Sequence, residues 1–152
     1  ICRRIFSQKT SRDTPLLQNK RRTIMNFVGT WGLYQCFKGV DDEMVKPDCR
    51  EEFFSLQPNG KVFHCLSAHG DMLDLAYGKM VFQVNSKLYR EVKEPFYKLG
   101  ESVKIVGDSS NGRIAEVNWH IKNDCPFYFV EISGKTLKKR YFDCDLQHAL
   151  SD

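Results

Sequence analysis

The chain has 152 residues, 41% of them apolar and 12% aromatic, with a net charge of +4. That length and apolar content suit one domain with a buried core and exclude global disorder. Seven basic residues (Arg3, Arg4, Lys9, Arg12, Lys20, Arg21 and Arg22) stand against Asp13 alone in residues 1–24, so this stretch is +6 and the remainder −2. A body of that sign repels phosphate on average, and no nucleic-acid partner is expected.

Residues 1–24 are Arg-rich and acid-poor, like a mitochondrial transit segment. The reading preferred here is a disordered basic N-terminal extension ahead of a natural start at Met25, with residues 25–152 as the folded domain. No signal-peptide core is visible and no apolar run is long enough to span a bilayer. The expectation is a cytoplasmic protein without stable membrane insertion, or a secreted one if a leader is missing.

Phe27–Tyr34 is the first predicted strand, with Phe27, Trp31 and Leu33 sharing a face at period two. Residues 37–50 break the pattern. They allow one helical turn capped by Asp41, with Pro47 ending it. Glu52–Gln57 and Lys61–Ser67 flank Pro58-Asn59-Gly60 and predict a hairpin, because Asn-Gly supplies the positive φ of a tight turn. Strands follow at Leu73–Tyr77, Lys79–Val84, Leu88–Val92 and Ser102–Val106, divided by turn signals at Asn85-Ser86 and Glu94-Pro95. After Asp108–Gly112, Arg113–Ile121 alternates, with Ala115, Val117, Trp119 and Ile121 on one side. Phe127–Ile132 and Thr136–Cys144 close the chain around Ser133-Gly134.

Eight to ten short strands with short links, and no long helical stripe, predict an all-β antiparallel up-and-down barrel. Such a barrel has room for one small ligand. The cysteines at 2, 36, 49, 65, 125 and 144 form no CxxC and no zinc spacing. Free thiols are the first reading, with a Cys49–Cys144 bridge plausible if the chain is secreted. The four histidines form no metal pattern, and neither metal nor cofactor is expected.

Met25–Leu33 (MNFVGTWGL) resembles the opening strand of the intracellular lipid-binding, fatty-acid-binding family, and Phe96–Glu101 (FYKLGE) is similar to its Phe-x-Leu-Gly-Glu stretch. Gly29-Thr30-Trp31 is similar to the element of the wider lipocalin-like (calycin) barrels. The resemblance implies a barrel that carries a small hydrophobic ligand with an anionic head. It gives Gly29 and Trp31 structural roles at a barrel end, with Arg140 across the indole. The chain departs from the family in two places. Residues 37–50 are too short for a two-helix lid, and Lys139-Arg140-Tyr141 replaces a terminal Arg-x-Tyr.

The aromatic set Phe54, Phe63, Phe82, Phe96, Trp119, Phe127 and Phe129 either lines a cavity or fills a core. A ligand carboxylate inside the barrel needs a cation, and Arg113 and Arg140 are the candidates, with Tyr141 beside Arg140. The ligand-binding set is therefore Arg140, Tyr141, Arg113, Trp119, Phe82, Phe129 and Phe63. The leading function is non-enzymatic carriage of a fatty acid or similar lipid by a monomer. The alternatives are a filled-core structural or protein-interaction barrel and a thiol-dependent isomerase using Cys65.

Overall fold

A computed structural model describes residues 26–149; the predicted basic extension lies outside this range. Ten strands fall in two antiparallel five-stranded sheets. The first is a meander of β1 (Trp31–Tyr34), β2 (Val62–His69), β3 (Met72–Tyr77) and β4 (Met80–Asn85). A 3-10 turn at Ser86–Leu88 then returns the chain as β5 (Tyr89–Val92) along β1. The second sheet repeats the scheme. The meander β6 (Ser102–Ile105), β7 (Asn111–His120), β8 (Cys125–Ile132) and β9 (Lys135–Thr136) is followed by a 3-10 turn at Asp143–Asp145 and by β10 (Leu146–His148) along β6. The orders β4-β3-β2-β1-β5 and β9-β8-β7-β6-β10 are one topology used twice.

The antiparallel strands and their number agree with the sequence reading, but no ladder closes into a barrel among the described residues. The sheets join where Lys61 pairs with Asn118, Trp119 N–H donates to the Gly60 carbonyl (2.8 Å) and Val117 N–H donates to Tyr77 Oη (3.0 Å).

The predicted hairpin before residue 61 is overturned. Residues Pro47–Ser55 form a helix, α1, so Glu52–Gln57 is not a strand and Pro47 begins the helix instead of ending one. Proline is well tolerated at the first helical position, where its missing N–H would have had no partner. The expected turn after Asp41 is present as a 3-10 turn, Asp42–Met44, with Asp41 at its N-cap position; the Asp41 carboxylate makes no cap bond and accepts from Phe37 N–H (2.9 Å). Gln57, at φ 60°, stops the helix in the left-handed region. Gly60 N–H then donates to Gln35 Oε1 (2.9 Å) and Cys36 N–H to Asn59 Oδ1 (2.6 Å), so the Asn-Gly turn ties α1 back to the end of β1. Nine residues are too few for a stable isolated helix. Tertiary packing holds α1: the buried Phe53 ring lies 5.0 Å from Phe82 and 5.8 Å from both Tyr34 and Phe63.

Two cores result. One lies between α1 and the first sheet and contains Tyr34, Phe53, Phe63, Leu73, Leu75, Phe82 and Val84. The other lies between the sheets and contains Leu33, Val62, Val103, Ile114, Val117, Trp119, Tyr128, Val130 and Tyr141. Both faces of β1 are buried, Leu33 in the second core and Tyr34 in the first.

Phe53→Ala should cost about 3–5 kcal/mol, the usual range for truncating a fully buried ring. Trp31→Ala should cost less than half of that, because Trp31 is only partly buried. Urea titrations of both variants beside the parent test the ranking, and equal losses would contradict it.

Candidate ligand-binding cleft

The register of β1 with β2 places Trp31 opposite His64, and their rings stack 4.3 Å apart at 10°. From the segment after β5, Lys98 carries its ammonium 5.3 Å from the centre of the indole. Lys98 is held there by the Pro95 carbonyl (2.7 Å) and by Glu94 (3.0 Å). Leu99 is the neighbour that a side chain at Gly78 would meet. Around this platform lies a cleft of about 290 Å³. Its floor is Val62, Ala76, Tyr77 and Val117; its rim is Leu66, Val81 and Leu99. Leu66 is the extra residue of a β-bulge between Cys65 and Ser67. It is 45% exposed and Val81 49%, so the rim is apolar and open to solvent.

Residues 25–147 match a family of unknown function, DUF6960. The chain belongs to that family. No curated protein and no solved structure matches it. In this DUF6960 chain Trp31 of Met25–Leu33 lies under Lys98 of Phe96–Glu101.

The residues expected to bind ligand do not converge. Phe63 and Phe82 are fully buried in the first core, where their rings touch Phe53. Trp119 and Tyr141 are buried in the second, with Trp119 Nε1 donating to Asp124 (3.2 Å). Arg113 is exposed, paired across strands with Ser102 and Glu131. The expected phase of Arg113 with Val117 fails because a bulge between Ile114 and Glu116 shifts the alternation by one residue. Ile114 takes the inward place instead. Arg140 is exposed, and its guanidinium lies 4.9 Å from the Phe127 ring. Half-buried Phe129 stands beside Phe127 on that face. The cation at the Trp31 indole is Lys98, in place of the expected Arg140.

Gly29 has φ 89° and donates to the Cys65 carbonyl (2.8 Å), so its backbone angle requires glycine while the space around it is open. The close approach occurs instead at Gly32, where any Cβ would strike the Tyr89 ring and the Arg90 carbonyl. Lys98, His64 and Leu66 escaped the sequence reading. Lys98 lay inside the quoted FYKLGE, but only strand pairing brings it over Trp31.

Burial, then the charge of Asp74, pushes the Cys65 thiol up to about 11. A thiol held protonated at neutral pH is a poor nucleophile. Cys49 packs its sulfur on the Gln83 backbone of the first sheet (3.4 Å), whereas Cys144 lies in the turn before β10 of the second. The described cysteines are free, and the Cys49–Cys144 bridge is not formed. No cluster of three or more candidate metal ligands occurs among the described residues.

On the face of β3 that carries Ala76, Asp74 accepts from Ser67 Oγ (2.6 Å) and from His69 Nε2 (2.9 Å). Burial alone would push its carboxyl up, but these hydrogen bonds, the charge of His69 and the Gln83 amide outweigh burial and leave it below its ordinary value. The carboxylate therefore stabilises the fold above the unfolded carboxyl value of about 4, and this contribution is lost as pH falls through the lowered folded value. Asp74→Asn should lower stability at neutral pH, and its gap from the parent should shrink below about pH 4. Thermal melts at several pH values test this; a gap constant with pH would refute it.

Proposed function

We propose that the protein is a non-enzymatic binding protein for a small hydrophobic ligand with an anionic head, and that the ligand lies in the cleft beside Trp31. The carrying observation is the stacked Trp31–His64 platform with the Lys98 ammonium above it and apolar walls around it. Burying apolar surface drives entry, at about 25 cal/mol per Å². Trp31 and His64 both line the cleft and add aromatic surface to its apolar walls. Lys98 already has the Glu94 carboxylate at 3.0 Å, but Glu94 is largely exposed, so an incoming anion exchanges a solvated partner for a partly desolvated one.

This reading moves the ligand out of the interior. A closed can with an oily centre is not required, since Phe63 and Phe82 pack on Phe53 in one core while Trp119 and Tyr141 lie in the other. A volume of about 290 Å³ lies at the lower end of known ligand pockets and suits a short chain or one ring system. One copy of the chain supplies every wall, so a monomer suffices. The exposed Leu66 and Val81 favour a second reading, in which the same cleft receives an apolar side chain of a partner protein.

Calorimetric titration with a medium-chain fatty acid and with the alcohol of equal length tests the proposal. Saturable binding of both is expected. Lys98→Gln should weaken the acid roughly tenfold and leave the alcohol unchanged. Leu66→Asp should weaken both. No binding by the folded parent, or binding that survives Leu66→Asp, would overturn the cleft assignment.

A further inference from the structure

The loop that carries Lys98 is closed by one carboxylate. Glu101 N–H donates to the Lys98 carbonyl (3.1 Å), and Lys98 N–H donates back to Glu101 Oε1 (2.8 Å). The second carboxylate oxygen, Glu101 Oε2, lies 2.9 Å from Nδ1 of His148 on β10. A contact of that length to a carboxylate needs a proton on Nδ1, in the neutral ring or the charged one. One side chain therefore joins the residue that supplies the cleft's ammonium to the last strand of the second sheet. The His148 ring also rests against the same loop, its centre 4.9 Å from that of Tyr97 and 5.1 Å from that of Phe96. Backbone bonds fix the base of the loop to β7, from Gly100 N–H to the Ile114 carbonyl (2.8 Å) and from Ile114 N–H to the Glu101 carbonyl (2.9 Å). To these the carboxylate adds the link between Lys98 and His148. Facing His148 are Glu101 ahead of β6 and Tyr97 after β5, whose hydroxyl donates to the Leu146 carbonyl (3.0 Å). Lys104 of β6 pairs with Gln147, the neighbouring residue of β10, and Asp143 of the preceding turn accepts from Tyr128 (2.7 Å).

We propose that Glu101 and His148 are positioning residues for Lys98, and that protonation of His148 raises the preference of the Trp31 cleft for an anionic head. The inference rests on the binding function proposed above and adds a regulation to it. With the imidazole neutral, the Glu101 carboxylate keeps its full negative charge in the loop that bears Lys98, and this charge opposes an arriving anion. With the imidazole protonated, the pair carries no net charge and that opposition is lifted. The contact to Glu101 also gains an ionic component, which holds the loop more firmly under the ammonium. Both changes favour an anion beside Lys98, and neither acts on an uncharged head group. Histidine is the side chain whose charge ordinarily changes between about pH 5 and 8. A carboxylic acid ligand stays ionised through the upper part of that window, so its own titration does not mask the effect.

Calorimetric titrations of the full chain with octanoate and with 1-octanol, at about pH 8 and about pH 6, test this. Octanoate should bind roughly threefold more tightly at the lower pH, with 1-octanol unchanged. In His148→Gln the octanoate affinity should no longer depend on pH across this range. Glu101→Ala should quicken hydrogen exchange at the Lys98 amide and bring octanoate affinity down toward that of Lys98→Gln, again with 1-octanol unchanged. A merely structural role for Glu101 would weaken both probes together. His148→Gln removes a half-exposed ring and keeps the test open should Glu101→Ala fold poorly. An octanoate affinity that is flat with pH in the parent, a pH dependence retained in His148→Gln, or a Lys98-dependent preference for octanoate that survives Glu101→Ala would overturn the inference and leave the cleft reading standing. No binding of octanoate by the folded parent would overturn both.

Discussion

Strand β1 has no solvent face, and the rest of the structure is arranged around that constraint. Its four residues alternate between two cores, with Leu33 entering one and Tyr34 the other. A strand buried on both sides needs covering layers on both, and α1 and the second sheet are those layers. Gly32 sets the spacing, because the Tyr89 ring and the Arg90 carbonyl of β5 occupy the volume a side chain would take. Trp31, at the end of the strand where the second layer thins out, is left partly uncovered, and the cleft exists at that gap. The Tyr34 hydroxyl closes the other side by donating to the Asn85 carbonyl (2.5 Å) at the end of β4.

The sequence made some of this legible. Alternation located most of the strands, and the Gly/Asn/Ser turn signals marked most of the breaks. Three things were not legible, each for a local reason. Phe53 and Phe54 are adjacent aromatics and look strand-like by propensity; only the packing of Phe53 on Phe82 and Phe63 makes that stretch helical. The bulge at Ile114–Glu116 carries no glycine or proline to announce it, so alternation alone puts Arg113 on the wrong face. Two separate cores also mimic one cavity in a periodicity analysis, since a pattern of inward residues does not say which interior each faces. The cleft was half visible: Trp31 stood out by its motif, while Lys98 and His64 become its neighbours only through pairing across 30 residues or more.

The repeated sheet topology bears on why the interior is filled. Each meander of four strands with a returning fifth encloses little volume, and five short strands cannot surround an acyl chain as eight or more do. Large rings occupy that volume in the first sheet, where Phe63, Phe82 and Phe53 are wholly buried. Open space remains where the two units abut and neither core is complete. The Trp31 cleft is such a place, with β1, β2, β3 and β4 on one side and Val117 of β7 on the other.

The segment that carries Lys98 is itself fixed by the far end of the second sheet. Tyr97, its neighbour, is buried; its N–H donates to Tyr128 Oη (3.3 Å) and its own hydroxyl to the Leu146 carbonyl (3.0 Å). Tyr128 in turn donates to Asp143, and Leu146 opens β10. The position of the ammonium over the indole therefore depends on that turn and strand as well. A buried tyrosine with both polar ends satisfied resists displacement, because moving it would leave a donor unpaired in a place water does not reach. A change that loosens β10 would release Tyr97 first and Lys98 with it, and the cleft would keep its apolar walls while losing its cation. In the proposed function, head-group recognition and hydrophobic capture thus rest on different parts of the fold, the first on the C-terminal strand of the second sheet and the second on the first sheet.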